Sequence, residues 1–137
     1  MNVHQIYCRE KAAPDGSNLY YALLFESEDL KTQLRPLFAL HYEITACLSA
    51  STDPGVTHMK LNWWSEELTR LSEGNPHHPI TVSLQSITDD IRNNSAPLLN
   101  YLTTIHSIVM KQSITGFDDW FDSLTQGLGH IWLLASR

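Results

Sequence analysis

At 137 residues the chain has the length of one domain with room for a hydrophobic core. Hydrophobic residues make up 42% and charged residues 18%, a globular balance. Nine Lys and Arg stand against fifteen Asp and Glu, for a net charge of -6. The cations are scattered, so the clustered positive surface that nucleic acid requires is missing and that partner class is excluded.

No apolar run reaches the length of a transmembrane helix, and the N-terminal MNVHQIYCREK lacks the apolar stretch of a secretory signal. Cys8 and Cys47 do not have metal-ligand spacing, and a reducing, cytoplasmic setting is the simplest expectation.

Residues 2–13 read as a short helix with Ile6 and Tyr7 on its apolar side. Pro14-Asp15-Gly16-Ser17 is a turn signal, and Ser17 can cap a helix begun after it. Leu19 to Phe25 is a compact apolar run, expected as a buried short helix. The next helix starts at Ser27, with Glu28 and Asp29 in its first turn where the macrodipole favours anions. It extends to about Ser49, directs Leu30, Leu34, Leu37, Phe38, Leu40, Ile44 and Leu48 inward, and should kink at Pro36.

A small-residue linker leads to Asp53-Pro54, an N-cap followed by a first-turn proline. Val56, Met59, Trp63, Trp64, Leu68 and Leu71 recur at offsets 3, 7, 8, 12 and 15, which predicts an amphipathic helix closed at Gly74. Two adjacent tryptophans mark it as a core anchor, and Glu66 and Arg70 have the spacing of an exposed ion pair. After Pro79 a helix carries Ile80, Val82, Leu84, Ile87 and Ile91 to Asn93-Asn94. Ala96-Pro97 opens another, with Leu98, Leu99, Leu102, Ile105, Ile108 and Val109 on its apolar side. A last helix is expected from about Phe117, beyond Gly116, presenting Trp120, Phe121, Leu124, Leu128, Ile131 and Trp132. No segment alternates as a strand would, so the fold class is all-α with six or seven helices, one domain over 1–137.

Five pieces in order carry a family likeness: Tyr7-Cys8, Ser17-x-x-Tyr20-Tyr21-Ala22, Leu37-Phe38-Ala39-Leu40, Trp64-x-x-Glu67-Leu68, and Gly74-x-Pro76-x-His78-Pro79. Together, over about residues 7 to 130, the chain resembles the squalene/phytoene synthase family. The resemblance implies an isoprenoid-synthase-like helical bundle around a deep apolar cavity, of which this chain would be about the N-terminal half. Members condense prenyl diphosphates, using two aspartate-rich motifs to bind magnesium that neutralises the departing diphosphate.

Ungapped alignment puts the first motif's aspartates on Thr45, Ala46 and Ser49, none of them a carboxylate. Glu43 is the nearest acid and stands alone. The second motif would lie beyond Arg137. The resemblance therefore implies a degenerate member without catalytic residues, similar to the aspartate-lacking assembly factors of respiratory complex I. Such a protein would bind a partner protein, or an isoprenoid or lipid. The alternative is part of a genuine magnesium-dependent prenyltransferase completed by another segment or subunit. Exposed apolar faces would then favour a homodimer, a protein partner or peripheral membrane contact.

Candidate cavity-lining residues are Tyr20, Tyr21, Phe38, His41, Glu43 and Trp64. Tyr20 and Tyr21 suit either a prenyl cavity or core packing. Asp118, Asp119 and Asp122 spell a DDxxD string that could hold magnesium, against the simpler reading of an acidic helix start. His77-His78 lacks Cys or acidic partners at ligand spacing and reads as a structural turn.

Overall fold

The computed structural model describes residues 1–49, 53–87 and 96–110. Six α-helices are described: α1 Val3–Ala12, α2 Asn18–Leu23, α3 Glu28–Ser49, α4 Pro54–Ser72, α5 Pro79–Ile87 and α6 Ala96–Met110. No strand occurs among the described residues, which makes the described part all-α.

Local chemistry accounts for the helix ends. Asn2 and Gln5 form a reciprocal capping box on α1, at 2.9 and 3.1 Å. Gly16 takes φ +85°, a conformation that a Cβ disfavours, and Ser17 then accepts the Tyr20 N–H as the N-cap of α2. Ser27 caps α3 by accepting from Leu30 N–H. Helix α3 continues through Pro36. Asp53 caps α4 ahead of Pro54. The far end of α4 is a Schellman turn: Asn75 N–H reaches Arg70 C=O at 2.9 Å, Gly74 N–H reaches Leu71 C=O at 3.1 Å, and Gly74 has φ +82°.

Helices α1, α3 and α5 pack on one another, while α4 touches α3, α5 and α6. Cys8 of α1, Leu37, Leu40, Ile44 and Cys47 of α3, and Ile80 and Leu84 of α5 meet in one cluster. Leu61, Trp64, Leu68 and Leu71 of α4 join Leu98, Tyr101 and Leu102 of α6 in the same core. No described helix is long and apolar enough to cross a membrane.

Three sequence expectations change. The inward face of α4 is Thr57, Leu61, Trp64, Leu68 and Leu71, a 4-3-4-3 spacing, whereas Val56, Met59 and Trp63 are exposed at 38%, 73% and 42%. The reason is angular: neighbours on a helix lie about 100° apart, so one core face cannot take both tryptophans. Trp64, at 5% exposure, is the anchor.

The run from Leu19 to Phe25 is not a buried helix. Only Leu23 is buried, and Phe25 is 95% exposed. Arg70 does not pair with Glu66. Its guanidinium turns to Glu67, whose side chain is fully buried. Sequence reading also missed Tyr101, buried at 0% exposure, whose hydroxyl shares a 2.7 Å hydrogen bond with His41 Nδ1.

Equivalent truncations of the two tryptophans separate the faces of α4. Trp64→Ala is expected to cost about 3–5 kcal/mol, and Trp63→Ala about 1 kcal/mol or less. Urea denaturation of both variants checks this, and similar losses would contradict the assignment.

Candidate functional site

The site begins with one carboxylate. Glu67 lies on the buried face of α4, beside the α4–α5 turn, and its Oε1 accepts from the backbone N–H groups of His77 and His78 at 2.7 and 2.8 Å. The Thr81 hydroxyl donates to the same oxygen. Arg70 donates to Oε2 from Nε at 2.8 Å and also from Nη2. Burial raises the cost of this charge, but the donors from His78, Thr81, His77 and Arg70 outweigh it and lower the Glu67 pKa from 4.5 to about 2. A charge-assisted clamp of this kind fixes the turn firmly.

The clamp places His78. Its Nδ1 accepts the Ile80 N–H at 3.2 Å, so the side chain caps α5 while the carboxylate of Glu67 holds its own backbone N–H. The ring packs against Trp64 at a centroid distance of 4.8 Å, Tyr7 at 5.5 Å and Trp63 at 5.8 Å. Burial lowers the His78 pKa, which keeps the ring neutral at neutral pH.

The rings of Trp63, Trp64 and His78 border an open cleft of about 450 Å³, lined also by Glu43, Ala46, Cys47 and Lys60. Its volume is that of a small-molecule site. Helix α3 supplies the Glu43 wall and α4 the tryptophan wall. Glu43 Oε1 accepts from Tyr7 Oη at 3.2 Å and lies 3.1 Å from Lys11 Nζ. Burial, followed by the Glu43 charge, raises the Tyr7 pKa, and the hydrogen bond to Glu43 raises that of Lys11. Burial likewise raises the pKa of the Cys47 thiol, whose Sγ donates to Glu43 C=O at 3.2 Å.

Of the residues singled out from sequence, Glu43 and Trp64 come together in this cleft. Tyr20 and Tyr21 stack edge-on at 5.3 Å on α2, with Tyr21 61% exposed. His41 pairs with Tyr101, its pKa lowered by burial, while Phe38 is half-buried on α3; neither lines the cleft. Asp118, Asp119 and Asp122 lie outside the described residues. Lys60 and His78 were not singled out as cleft residues from sequence. His78 read there as structural, and it does cap α5 while also lining the cleft. Comparison of the chain with protein-family profiles, with curated proteins and with solved structures found no match.

Because the folded pKa of Glu67 lies below its ordinary value, its contribution to stability is complete above about pH 5 and is lost as pH falls toward 2. Glu67→Gln removes the charge and is expected to cost about 2–4 kcal/mol at pH 7. The variant should also flatten the acid limb of the stability profile between pH 5 and 2. Denaturation of both proteins across that range checks the sign; parallel profiles would contradict it.

Proposed function

We propose that this chain is a squalene/phytoene synthase-like helical protein that does not catalyse, and that it acts by binding an isoprenoid or other apolar ligand at the tryptophan cleft. The condition of α3 carries the reading. Where the resemblance calls for magnesium-binding aspartates, Thr45 turns its hydroxyl back to the carbonyls of His41 and Tyr42, at 2.9 and 3.0 Å, and Ala46 has no polar atom to offer. Glu43, the nearest acid, is engaged by a phenol and an ammonium. A single neutralised carboxylate is a poor substitute for a carboxylate cluster, because magnesium brought to a diphosphate needs several hard oxygen ligands.

Two pieces of the family likeness meet in space. Trp64-x-x-Glu67 and Gly74-x-Pro76-x-His78-Pro79 form one unit, with the Glu67 carboxylate on the turn and the Trp64 ring on His78. The isoprenoid-synthase-like scaffold in this reading comes from the resemblance, and the all-α packing of the described residues is compatible with it. The outward stripe of Val56, Met59 and Trp63 extends apolar area beyond the cleft, where a protein partner or a second copy would gain contact.

Titration calorimetry with magnesium and a prenyl diphosphate tests the loss of catalysis. The expected result is no saturable binding that depends on magnesium. A saturable, magnesium-dependent isotherm would overturn the reading and restore the prenyltransferase.

A further inference from the structure

The aromatic walls of the cleft pose a choice of ligand charge. Trp63, Trp64 and His78 in contact, with Tyr7 packed on His78 behind them, resemble a cage for a quaternary ammonium, which aromatic faces attract within about 6 Å. The cations already in place decide against it. Lys11 Nζ sits 5.8 Å over the Tyr7 ring, and Arg70 Cζ sits 5.7 Å over the Trp63 ring. Glu43, the carboxylate of the cleft, is neutralised by Lys11 at 3.1 Å. Lys60 lines the same cleft, is exposed, and has no carboxylate at ion-pair distance among the described residues. A ligand cation would meet uncompensated positive charge.

The histidine adds a second donor. A nitrogen that accepts a backbone N–H carries no proton, so His78 Nδ1, accepting from Ile80, leaves the ring proton on Nε2. The polar complement of the cleft is therefore the Lys11-paired Glu43 carboxylate on one wall and two donors that no carboxylate answers, one ammonium and one imidazole N–H, above an apolar floor of Trp63, Trp64, Ala46 and Cys47. One unpaired positive charge matches one negative charge. A diphosphate, with several, would be left largely uncompensated.

We propose that the cleft binds an apolar carboxylate, with the carboxylate at Lys60 and His78 Nε2 and the hydrocarbon body against Trp63 and Trp64. The proposal rests on the binding reading and narrows it to one ligand class. Neutral His78 and the Lys60 ammonium each donate to the carboxylate oxygens, and the exposed edge of Trp63 covers the chain.

Calorimetric titration of the whole chain with dodecanoate, dodecanol and dodecyltrimethylammonium, each below its micelle concentration, tests it. Dodecanoate should bind at least about tenfold more tightly than dodecyltrimethylammonium. Lys60→Gln should weaken dodecanoate about fivefold and leave dodecanol within twofold. Trp63→Ala, at an exposed position where the fold is retained, should weaken dodecanoate and dodecanol alike, by about tenfold. Equal or tighter binding of the ammonium, no effect of Lys60→Gln on dodecanoate, or no binding of any of the three would overturn the proposal. Dodecanol bound as tightly as dodecanoate would sink the carboxylate proposal and leave the binding reading standing, whereas no binding of any of the three would sink both; the non-catalytic reading is tested separately by magnesium and diphosphate.

Discussion

The Glu67 carboxylate is the interaction on which the rest of the site depends. A buried charge is costly, and removing one partner of such a group leaves the other stranded. Here five donors from two helices and the turn between them converge on two oxygens. The α4–α5 turn has no freedom to drift while that carboxylate is ionised, and the Schellman end of α4 sets its starting direction. His78 is thereby held with its backbone on Glu67 and its ring on both tryptophans. The same Arg70 that completes the clamp lies over Trp63, so one cation ties the buried carboxylate to the exposed ring.

The cleft is the outer consequence of that inner clamp. Its tryptophan wall exists because α4 divides adjacent aromatics between core and surface, Trp64 inward and Trp63 outward. Its opposite wall exists because Glu43 of α3 is held by Tyr7 and Lys11 of α1. Three helices thus contribute to a surface whose charge is set by which acids are already answered. Glu43 and Glu67 are both engaged, and Lys60 is left facing the cleft.

Much of the fold is legible in the sequence because helix ends are local chemistry. Ser17, Asp53-Pro54 and Gly74 perform the capping roles that their residue types announce. The faces are less legible. On α4 two overlapping stripes fit a 3.6-residue period; apolar character alone does not separate Val56, Met59 and Trp63 from the true inward Leu61, and it disfavours the inward Thr57. Burial of Tyr101 depends on His41, sixty residues away, a pairing that no local pattern carries. Glu67 is visible as part of a motif, but spacing points Arg70 to the wrong partner. Glu66 and Arg70 fit the four-residue rule, whereas the three-residue pair with Glu67 wins because it is buried and shared with the turn. Of the candidate cavity residues, Glu43 and Trp64 reach the cleft through tertiary contacts, and Lys60 emerges only once α3 and α4 are set side by side.

The central claim is that Glu67 holds the backbone of the turn and, through it, the ring of His78. Amide hydrogen exchange at His77 and His78 tests this directly, since both N–H groups end on one buried carboxylate oxygen. The account predicts protection approaching that of the α4 core, with exchange close to the global unfolding limit. Exchange of those two amides within about tenfold of the unstructured-peptide rate would contradict it.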